Sequence, residues 1–187
     1  MGSIVESIHS EFLRYKALAE GAISQLGEEE LSAPAAGAGN SIAVICWHVS
    51  GNLRSRFTDF LTTDGEKPWR MREEEFAPRT VTRVELLEKW QQGWEALFQA
   101  LASVKDDQLE ATVTIRGEPF TVYAAFHRAL AHTSYHVGQI VYAAKAVRGT
   151  DWKYLSIPPG GSDAYNKNPQ FERPAAHATA VTNRFGS

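Results

Sequence analysis

The chain has 187 residues, of which 43% are hydrophobic and 22% are charged, and its formal net charge is −3. This composition is ordinary for a globular domain with a sizeable core, and it excludes fibrous and disordered classes. Scattered lysines and arginines argue against a nucleic-acid partner, and no apolar run approaches the roughly 18 residues of a membrane span. Because no secretory signal is visible and the single Cys46 cannot form an internal disulfide, we expect a cytoplasmic protein.

The first third of the chain predicts two helices separated by a loop. Apolar residues recur every three or four positions over residues 3–26, which is typical of an amphipathic helix. Residues 28–39 end in the Ala- and Gly-rich stretch APAAGAG and indicate a loop. A second helix is predicted to begin after a cap at Asn40 or Ser41 and to end near residue 61.

The middle of the chain predicts two more long helices and a hairpin. Prolines in residues 64–80 favour a long connection, and residues 82–103 again show helical spacing. The stretch ATVTIRGEPFT, residues 111–121, alternates β-branched and polar residues around Arg-Gly, which predicts a small hairpin. A fourth helix is predicted over residues 121–147.

Four long amphipathic segments joined by long connections are typical of an all-α, up-and-down four-helix bundle. Beyond Gly149 the chain is rich in Pro, Gly and Asn, so we expect an irregular carboxyl-terminal segment after the last helix. We therefore expect a single domain over residues 1–173, with a small hairpin before its last helix, and a flexible tail over residues 174–187.

The fourth predicted helix carries two histidines, His132 and His136, where its inward stripe calls for apolar side chains. A spacing of four residues places both imidazoles on one helix face, which suits joint ligation of a metal ion. Two hydrogen-bonded core histidines would show the same spacing. This pair alone therefore leaves both interpretations open.

A third histidine, His48, flanks the apolar stripe of the second predicted helix, on a face that can look toward the fourth helix. Two nitrogens from one helix and one from another would make an open three-nitrogen site of the kind that catalytic metal centres use, whereas structural zinc sites are closed by four ligands. Three nitrogen ligands suit zinc, nickel, iron or cobalt, and the sequence does not distinguish among these divalent ions.

Five further side chains are candidates for the surroundings of such a site. Asn52 and Gln139, each within one turn of a histidine, would orient a ligand or a bound water as part of the catalytic machinery, although ordinary polar contacts explain them equally well. Arg56 would bind an anionic substrate, with a surface ion pair as its alternative. Trp69 and Trp152, in the two Pro-rich connections, would wall a substrate pocket or simply anchor loops on the core.

Two other patterns are interpreted as structural. The acidic run over residues 73–75 follows two arginines in a predicted loop, and we interpret it as a solvated surface, since ligation by these carboxylates would need the loop to fold back. Cys46 lies two residues from His48, which turns the two side chains about 200° apart on a helix. We interpret this cysteine as a small packed hydrophobic residue.

Three blocks of the sequence resemble the DinB-like superfamily of metal-binding four-helix bundles, and within it a branch of bacterial proteins: residues 40–70, residues 115–145 and, more weakly, residues 152–166. The shared feature is an isolated histidine in the second helix together with H-x-x-x-H-x-G-Q-I in the last one. The resemblance implies a divalent metal held by His48, His132 and His136, with water or substrate completing its coordination. It also implies frequent dimerisation.

Characterised members of that superfamily include metal-dependent transferases that attach a low-molecular-weight thiol, such as bacillithiol or mycothiol, to an electrophile. Others act as a thiol-dependent isomerase or hydrolase. The resemblance therefore implies a homodimeric, metal-dependent enzyme with a small-molecule substrate, either a transferase with a small-molecule thiol as cosubstrate or a hydrolase. The alternatives are a non-catalytic metal-binding or stress-response bundle, whose ion is structural or sensed, and a metal-free bundle with core histidines.

Overall fold

The computed structural model describes residues 3–34 and 39–186, and this part of the chain is mainly α-helical, as the sequence predicts. The elements are, in chain order, α1 (Ile4–Ile23), α2 (Glu28–Ser32), α3 (Ile42–Phe57), α4 (Arg72–Glu75), α5 (Arg83–Ser103), β1 (Thr112–Ile115), β2 (Glu118–Thr121), α6 (Val122–Arg148), α7 (Ser162–Asn166) and α8 (Pro174–Phe185). Within the described residues, no helix is both long enough and apolar enough to span a membrane.

Four long helices, α1, α3, α5 and α6, surround the core. Each begins at a hydroxyl side chain that accepts a hydrogen bond from the first turn: Ser3, Ser41, Thr82 and Thr121. Helix α3 packs against α5 and α6, while α1 packs against α6 and, less extensively, α5. Trp90, Trp94, Phe12 and Phe126 are fully buried between them. The predicted loop over residues 28–39 contains the short α2, and its residues 35–38 lie outside the described part of the chain.

The predicted hairpin is present, and β1 and β2 pair immediately before α6. Its two turn residues, Arg116 and Gly117, have φ values of 57° and 78°, as a two-residue type I′ turn requires. This conformation strains Arg116, because its Cβ disfavours positive φ. The Asp64 carboxylate stabilises the turn by accepting hydrogen bonds from the backbone N–H groups of Glu66, Arg116 and Gly117 at 2.6, 2.8 and 2.8 Å.

Replacing Asp64 by asparagine should therefore destabilise the hairpin turn. Hydrogen bonds from the N–H groups of Glu66, Gly117 and Arg116 lower the pKa of the Asp64 carboxyl below 3.8. A lowered pKa in the folded state adds stability above the ordinary pKa, and this stability is lost as the pH falls through the folded value. We expect Asp64→Asn to reduce the free energy of unfolding by about 1 kcal/mol at pH 7 and by less below pH 3.8, as measured by urea unfolding.

A matched control for this change is Asp107→Asn, which alters an exposed carboxylate elsewhere on the surface. It should leave the free energy of unfolding nearly unchanged at both pH values. An effect of Asp64→Asn that is the same at pH 7 and at low pH would show that the charge of the carboxylate does not stabilise the turn.

The prediction of a flexible tail over residues 174–187 is wrong for residues 174–185, which form a packed helix. Residues Pro174–Phe185 form α8, which packs against α1. Within α8, His177 is buried; its Nδ1 accepts a hydrogen bond from Arg14 Nε at 3.1 Å, and its Nε2 donates to the Leu155 carbonyl at 2.9 Å. The sequence pattern misses this helix because alanine and threonine form half of it, and these side chains contribute little to an apolar stripe.

Candidate metal centre

Three histidines from two packed helices meet inside the bundle. His48 lies on α3, and His132 and His136 lie one turn apart on α6. The Nε2 atoms of His48 and His136 each lie 3.2 Å from Nε2 of His132. One ligand atom from each of the three residues falls within 4.8 Å of the others, so the cluster could hold a metal ion. The structure thus brings together the three histidines that the sequence singles out.

A buried carboxylate orients the ring of His48. Glu75 Oε2 lies 2.9 Å from His48 Nδ1, and the Glu75 carboxylate also accepts two hydrogen bonds of 2.9 Å from Nε and Nη2 of Arg70. Burial raises the pKa of the Glu75 carboxyl, but the hydrogen bonds from His48 and Arg70 outweigh burial and lower it below its usual value. An ionised Glu75 can only accept. In its neutral, metal-binding form, His48 therefore carries its proton on Nδ1 and directs the lone pair of Nε2 at the cluster.

The interpretation of residues 73–75 as a solvated charge run is wrong for Glu75. Helix α4 packs against α3 and buries this side chain, whereas the two preceding glutamates stay exposed. The carboxylate lies directly over Gly51, where a Cβ would overlap it. Gly51 follows His48 by three residues, on the same side of α3. A glycine so close to a candidate ligand is the one sequence signal that could have indicated a group approaching from outside the helix.

An amide orients the ring of His136 in the same way. Gln139 Oε1 lies 2.8 Å from His136 Nδ1 and accepts a hydrogen bond from it, so the single proton of a neutral His136 lies on Nδ1 and Nε2 keeps its lone pair. The sequence suggests a contact between Gln139 and a bound water or ligand. The structure instead places the amide against a histidine of the cluster, so Gln139 positions His136.

The remaining histidine, His132, is held in its neutral form by its surroundings. Burial, followed by the nearby His136 and His48, lowers the pKa of His132 from 6.5 to about 3. Burial also lowers the pKa of His136, against the opposing effect of its hydrogen bond to Gln139. Both rings are therefore neutral near pH 7, which is the state that donates a lone pair to a metal. His132 Nδ1 is buried and has no hydrogen-bond partner among the described residues.

A divalent metal ion satisfies these three nitrogens more fully than hydrogen bonds among them can. When all three rings are neutral, His48 and His136 both present lone pairs on Nε2 to His132, and a proton on His132 Nε2 can satisfy only one of the two contacts. A cation between the three lone pairs satisfies all of them. Metal–nitrogen bonds of about 2.1 Å place two ligand nitrogens about 3.0 Å apart at right angles and about 3.4 Å apart at a tetrahedral angle. The observed separation of 3.2 Å lies between these values.

A cavity of about 280 Å³ adjoins the cluster, and both His48 and His132 belong to its wall. Asn52 and Arg56, two of the predicted site residues, line the same cavity from the following turns of α3. The guanidinium of Arg56 donates a hydrogen bond of 3.1 Å to Glu66 Oε2 and another to the Gly65 carbonyl. The structure thus places these two candidates where they can contact a molecule bound beside the histidines.

The two predicted tryptophans are not part of this wall. Trp69 is 46% exposed, and the Arg54 guanidinium lies 5.2 Å from the centroid of its ring. Trp152 is buried in the hydrophobic core. The cavity residues include neither of them. Neither tryptophan therefore has a place on this cavity wall: a surface stacking contact accounts for Trp69, and core packing anchors the segment around Trp152, as the alternative prediction has it.

A helical bundle with three histidines converging beside a cavity defines a class of protein, a bundle with a candidate metal centre. Over residues 2–161 the chain matches the model of the family described as protein of unknown function (DUF1572), and it belongs to that family. The matched range contains the three histidines and both groups that orient them, and it ends before α7. No curated protein and no solved structure matches the chain.

Proposed function

We propose that the protein binds one divalent metal ion through Nε2 of His48, His132 and His136 and uses it to act on a small molecule. The observation that carries this proposal is the convergence of the three Nε2 atoms while acceptors engage Nδ1 of His48 and His136. Hydrogen-bonded acceptors of this kind orient metal-binding histidines and raise their basicity. Three protein ligands leave coordination positions for water or substrate, as in catalytic sites.

The reaction we propose is the one that the resemblance to the DinB-like superfamily implies: transfer of a low-molecular-weight thiol to an electrophile, or a related hydrolysis. When bound, a divalent ion supplies the Lewis acidity that ionises a thiol or a water near neutral pH. The thiol must come from outside the chain. Cys46 is completely buried, and burial raises the pKa of its thiol far above the usual value, so it is not a nucleophile.

The chain's own residues then have distinct tasks. Glu75 and Gln139 hold two histidine rings in place from outside the cluster. Asn52 lies on the cavity wall, where its amide can both donate to and accept from a bound substrate or water. The wall of the cavity partly encloses a small molecule held there, and reduced contact with solvent strengthens polar interactions with it.

The proposal is tested by loading the purified protein with zinc, nickel, iron or cobalt in turn and measuring bound metal by elemental analysis. Turnover of a chromogenic electrophile is then followed with several small thiols, before and after treatment with a chelator. We expect about one ion per chain and turnover that needs both metal and thiol. Cys46→Ala is the matched control and should keep its activity, because the buried thiol takes no part.

Two results would contradict parts of this proposal. Protein that binds no metal under any loading condition would overturn the metal centre itself. Stoichiometric metal without turnover, together with a large fall in thermal stability on chelation, would favour the non-catalytic alternative, in which the ion supports the bundle.

We further propose that the protein forms a homodimer, as the resemblance implies. Exposed tyrosines on α6 support this proposal, since Tyr135 and Tyr142 are 63% and 78% exposed and aromatic residues are enriched in protein interfaces. Light scattering should give a mass twice that of one chain, and Tyr142→Asp should reduce it to the mass of one chain. A wild-type mass equal to one chain would contradict the dimer.

A further inference from the structure

We propose that the cavity beside the three histidines binds a small molecule with an anionic group, a carboxylate or a phosphate, which arginine side chains hold. That such a molecule is the substrate rests on the function proposed above, whereas its binding does not. Five arginines line this cavity: Arg56, Arg70, Arg72, Arg116 and Arg128. No aspartate or glutamate of the described residues belongs to the same wall.

The arginines form a local concentration of positive charge on a chain that is acidic overall. The chain has a net charge of −3 and 19 lysines and arginines in total. The five cavity arginines come from four separate parts of the fold, namely α3, residues 70–72 where the connection enters α4, the hairpin turn and α6. A basic helix or a basic loop would concentrate charge along one segment. Here the tertiary structure collects it around one small cavity.

The carboxylates near this cavity do not neutralise it. Glu66 Oε2 is shared by three arginines, with separations of 3.1 Å to Arg56 Nη1, 2.9 Å to Arg116 Nε and 4.0 Å to Arg70 Nη1. Glu75 pairs with Arg70, and Glu73 pairs with Arg72 at 2.8 Å, so three carboxylates face five arginines. Arg128 forms no ion pair with any residue in the described part of the chain, and its guanidinium carbon lies 5.8 Å from the centroid of the Phe120 ring. An excess of positive charge therefore faces the cavity.

Two of these arginines still have donors to offer a ligand. Arg116 uses only Nε in its contact with Glu66, and its two terminal nitrogens bond to none of the described residues. Its side chain is 56% exposed, and the Asp64 carboxylate holds its backbone in the strained turn conformation. Arg128 is also exposed. Guanidinium groups with free planar N–H pairs are the side chains best suited to carboxylate and phosphate.

The rest of the wall indicates the remainder of the ligand. Phe57, Phe60 and Ile115 contribute apolar surface to the cavity, and the rings of Phe57 and Phe60 pack 5.1 Å apart. A volume of about 280 Å³ is near the lower end of the range for small-molecule pockets. The ligand is therefore a compact molecule with one short apolar part and one anionic group, and it lies beside the histidine cluster.

The test uses the full chain and three defined probes in NMR titrations. Butyrate and butyramide have nearly the same shape and differ in charge, and inorganic phosphate provides the second kind of anion. Each probe is titrated into chelator-treated protein and into zinc-loaded protein. The variant is the double change Arg116→Gln and Arg128→Gln, which affects two exposed side chains. Arg173→Gln is the matched control, because Arg173 is exposed and does not line the cavity.

We expect butyrate, phosphate or both to bind saturably to the chelator-treated protein and to shift the Nε–Hε signals of the cavity arginines. The probe that binds more tightly, butyrate or phosphate, identifies the anionic group that the cavity prefers. Affinity should fall at least about tenfold in the double variant, because two charge-assisted hydrogen-bond donors are lost. It should stay unchanged in Arg173→Gln, and butyramide should bind at least about tenfold more weakly than butyrate.

Three results would overturn the anion site. The first is an affinity that is the same in the double variant and the wild type, and the second is equal binding of butyramide and butyrate. The third is anion binding that occurs only in zinc-loaded protein and ignores the arginine changes, which would mean direct coordination to the metal. Protein that binds butyrate through its arginines but binds no zinc would refute the metal centre and leave the anion site in place.

Discussion

Replacing His132 by alanine should abolish metal binding while leaving the bundle folded. Its Nε2 lies 3.2 Å from the Nε2 atoms of both other histidines, so the change removes the nitrogen that the other two share. Loss of an outer hydrogen-bond partner of a ligand typically weakens metal affinity about 10- to 100-fold, and loss of the ligand itself should weaken it more. Elemental analysis after loading and gel filtration, followed by a competition titration with a chelator, measures this effect.

The matched control is His127→Ala on the same helix. His127 is exposed, and its Nδ1 contacts only the Tyr123 carbonyl of its own helix, so this variant should bind metal as the wild type does. In the presence of chelator, His132→Ala should unfold only slightly below the wild-type temperature, because His132 Nδ1 has no partner among the described residues and a proton on Nε2 satisfies only one of its two contacts. Near-stoichiometric metal in His132→Ala would refute the three-histidine assignment.

Replacing Glu75 by alanine should weaken both the fold and the metal centre. The Arg70 side chain is 2% exposed and would lose the carboxylate that binds its Nε and Nη2. Leaving one charge of a buried pair without its partner typically costs about 3 to 5 kcal/mol, and we expect the lower value, since Glu66 lies 4.0 Å from Arg70. Metal affinity should also fall about 10- to 100-fold, since His48 loses the acceptor that orients its ring.

Urea unfolding of the metal-free protein and a metal competition titration separate these two effects. Glu74→Ala, which changes the exposed neighbour, should leave both quantities near their wild-type values. The double change Arg70→Met and Glu75→Met should recover most of the lost stability, because no buried charge is left unpaired, but it should not recover the affinity. If Glu75→Ala binds metal as tightly as the wild type, Glu75 does not position His48.

The positions of the histidines could be predicted from local spacing, whereas their surroundings could not. His132 and His136 interrupt the apolar stripe of α6 at four-residue spacing, and His48 lies beside the stripe of α3, so each could be recognised along its own helix. The acceptor of His48 lies 27 residues away in the chain. It reaches the ring because α4 folds back on α3, and no periodicity in residues 64–80 predicts this contact.

The difference between local spacing and distant contacts also explains where the structure departs from the predictions for the tryptophans and for the carboxyl-terminal segment. Trp152 belongs to the core and Trp69 to the surface, although the sequence suggests the same role for both because each lies in a Pro-rich connection. Helix α8 was not predicted, because its packing against α1 depends on small side chains and on one buried histidine with two hydrogen bonds. Connections and small-residue helices carry little apolar periodicity, and contacts with distant segments decide their positions.

By itself, the amino-acid sequence determined the long helices, the hairpin turn and the spacing of the three histidines. Each of these depends on residues within about four positions of one another, which is the range over which backbone hydrogen bonds and helix faces act. Only the tertiary structure decided that a buried Glu75–Arg70 pair supports His48 and that five arginines from four segments surround one cavity. Such groups are distant in the chain, and they meet because burial of the shared core brings their helices together.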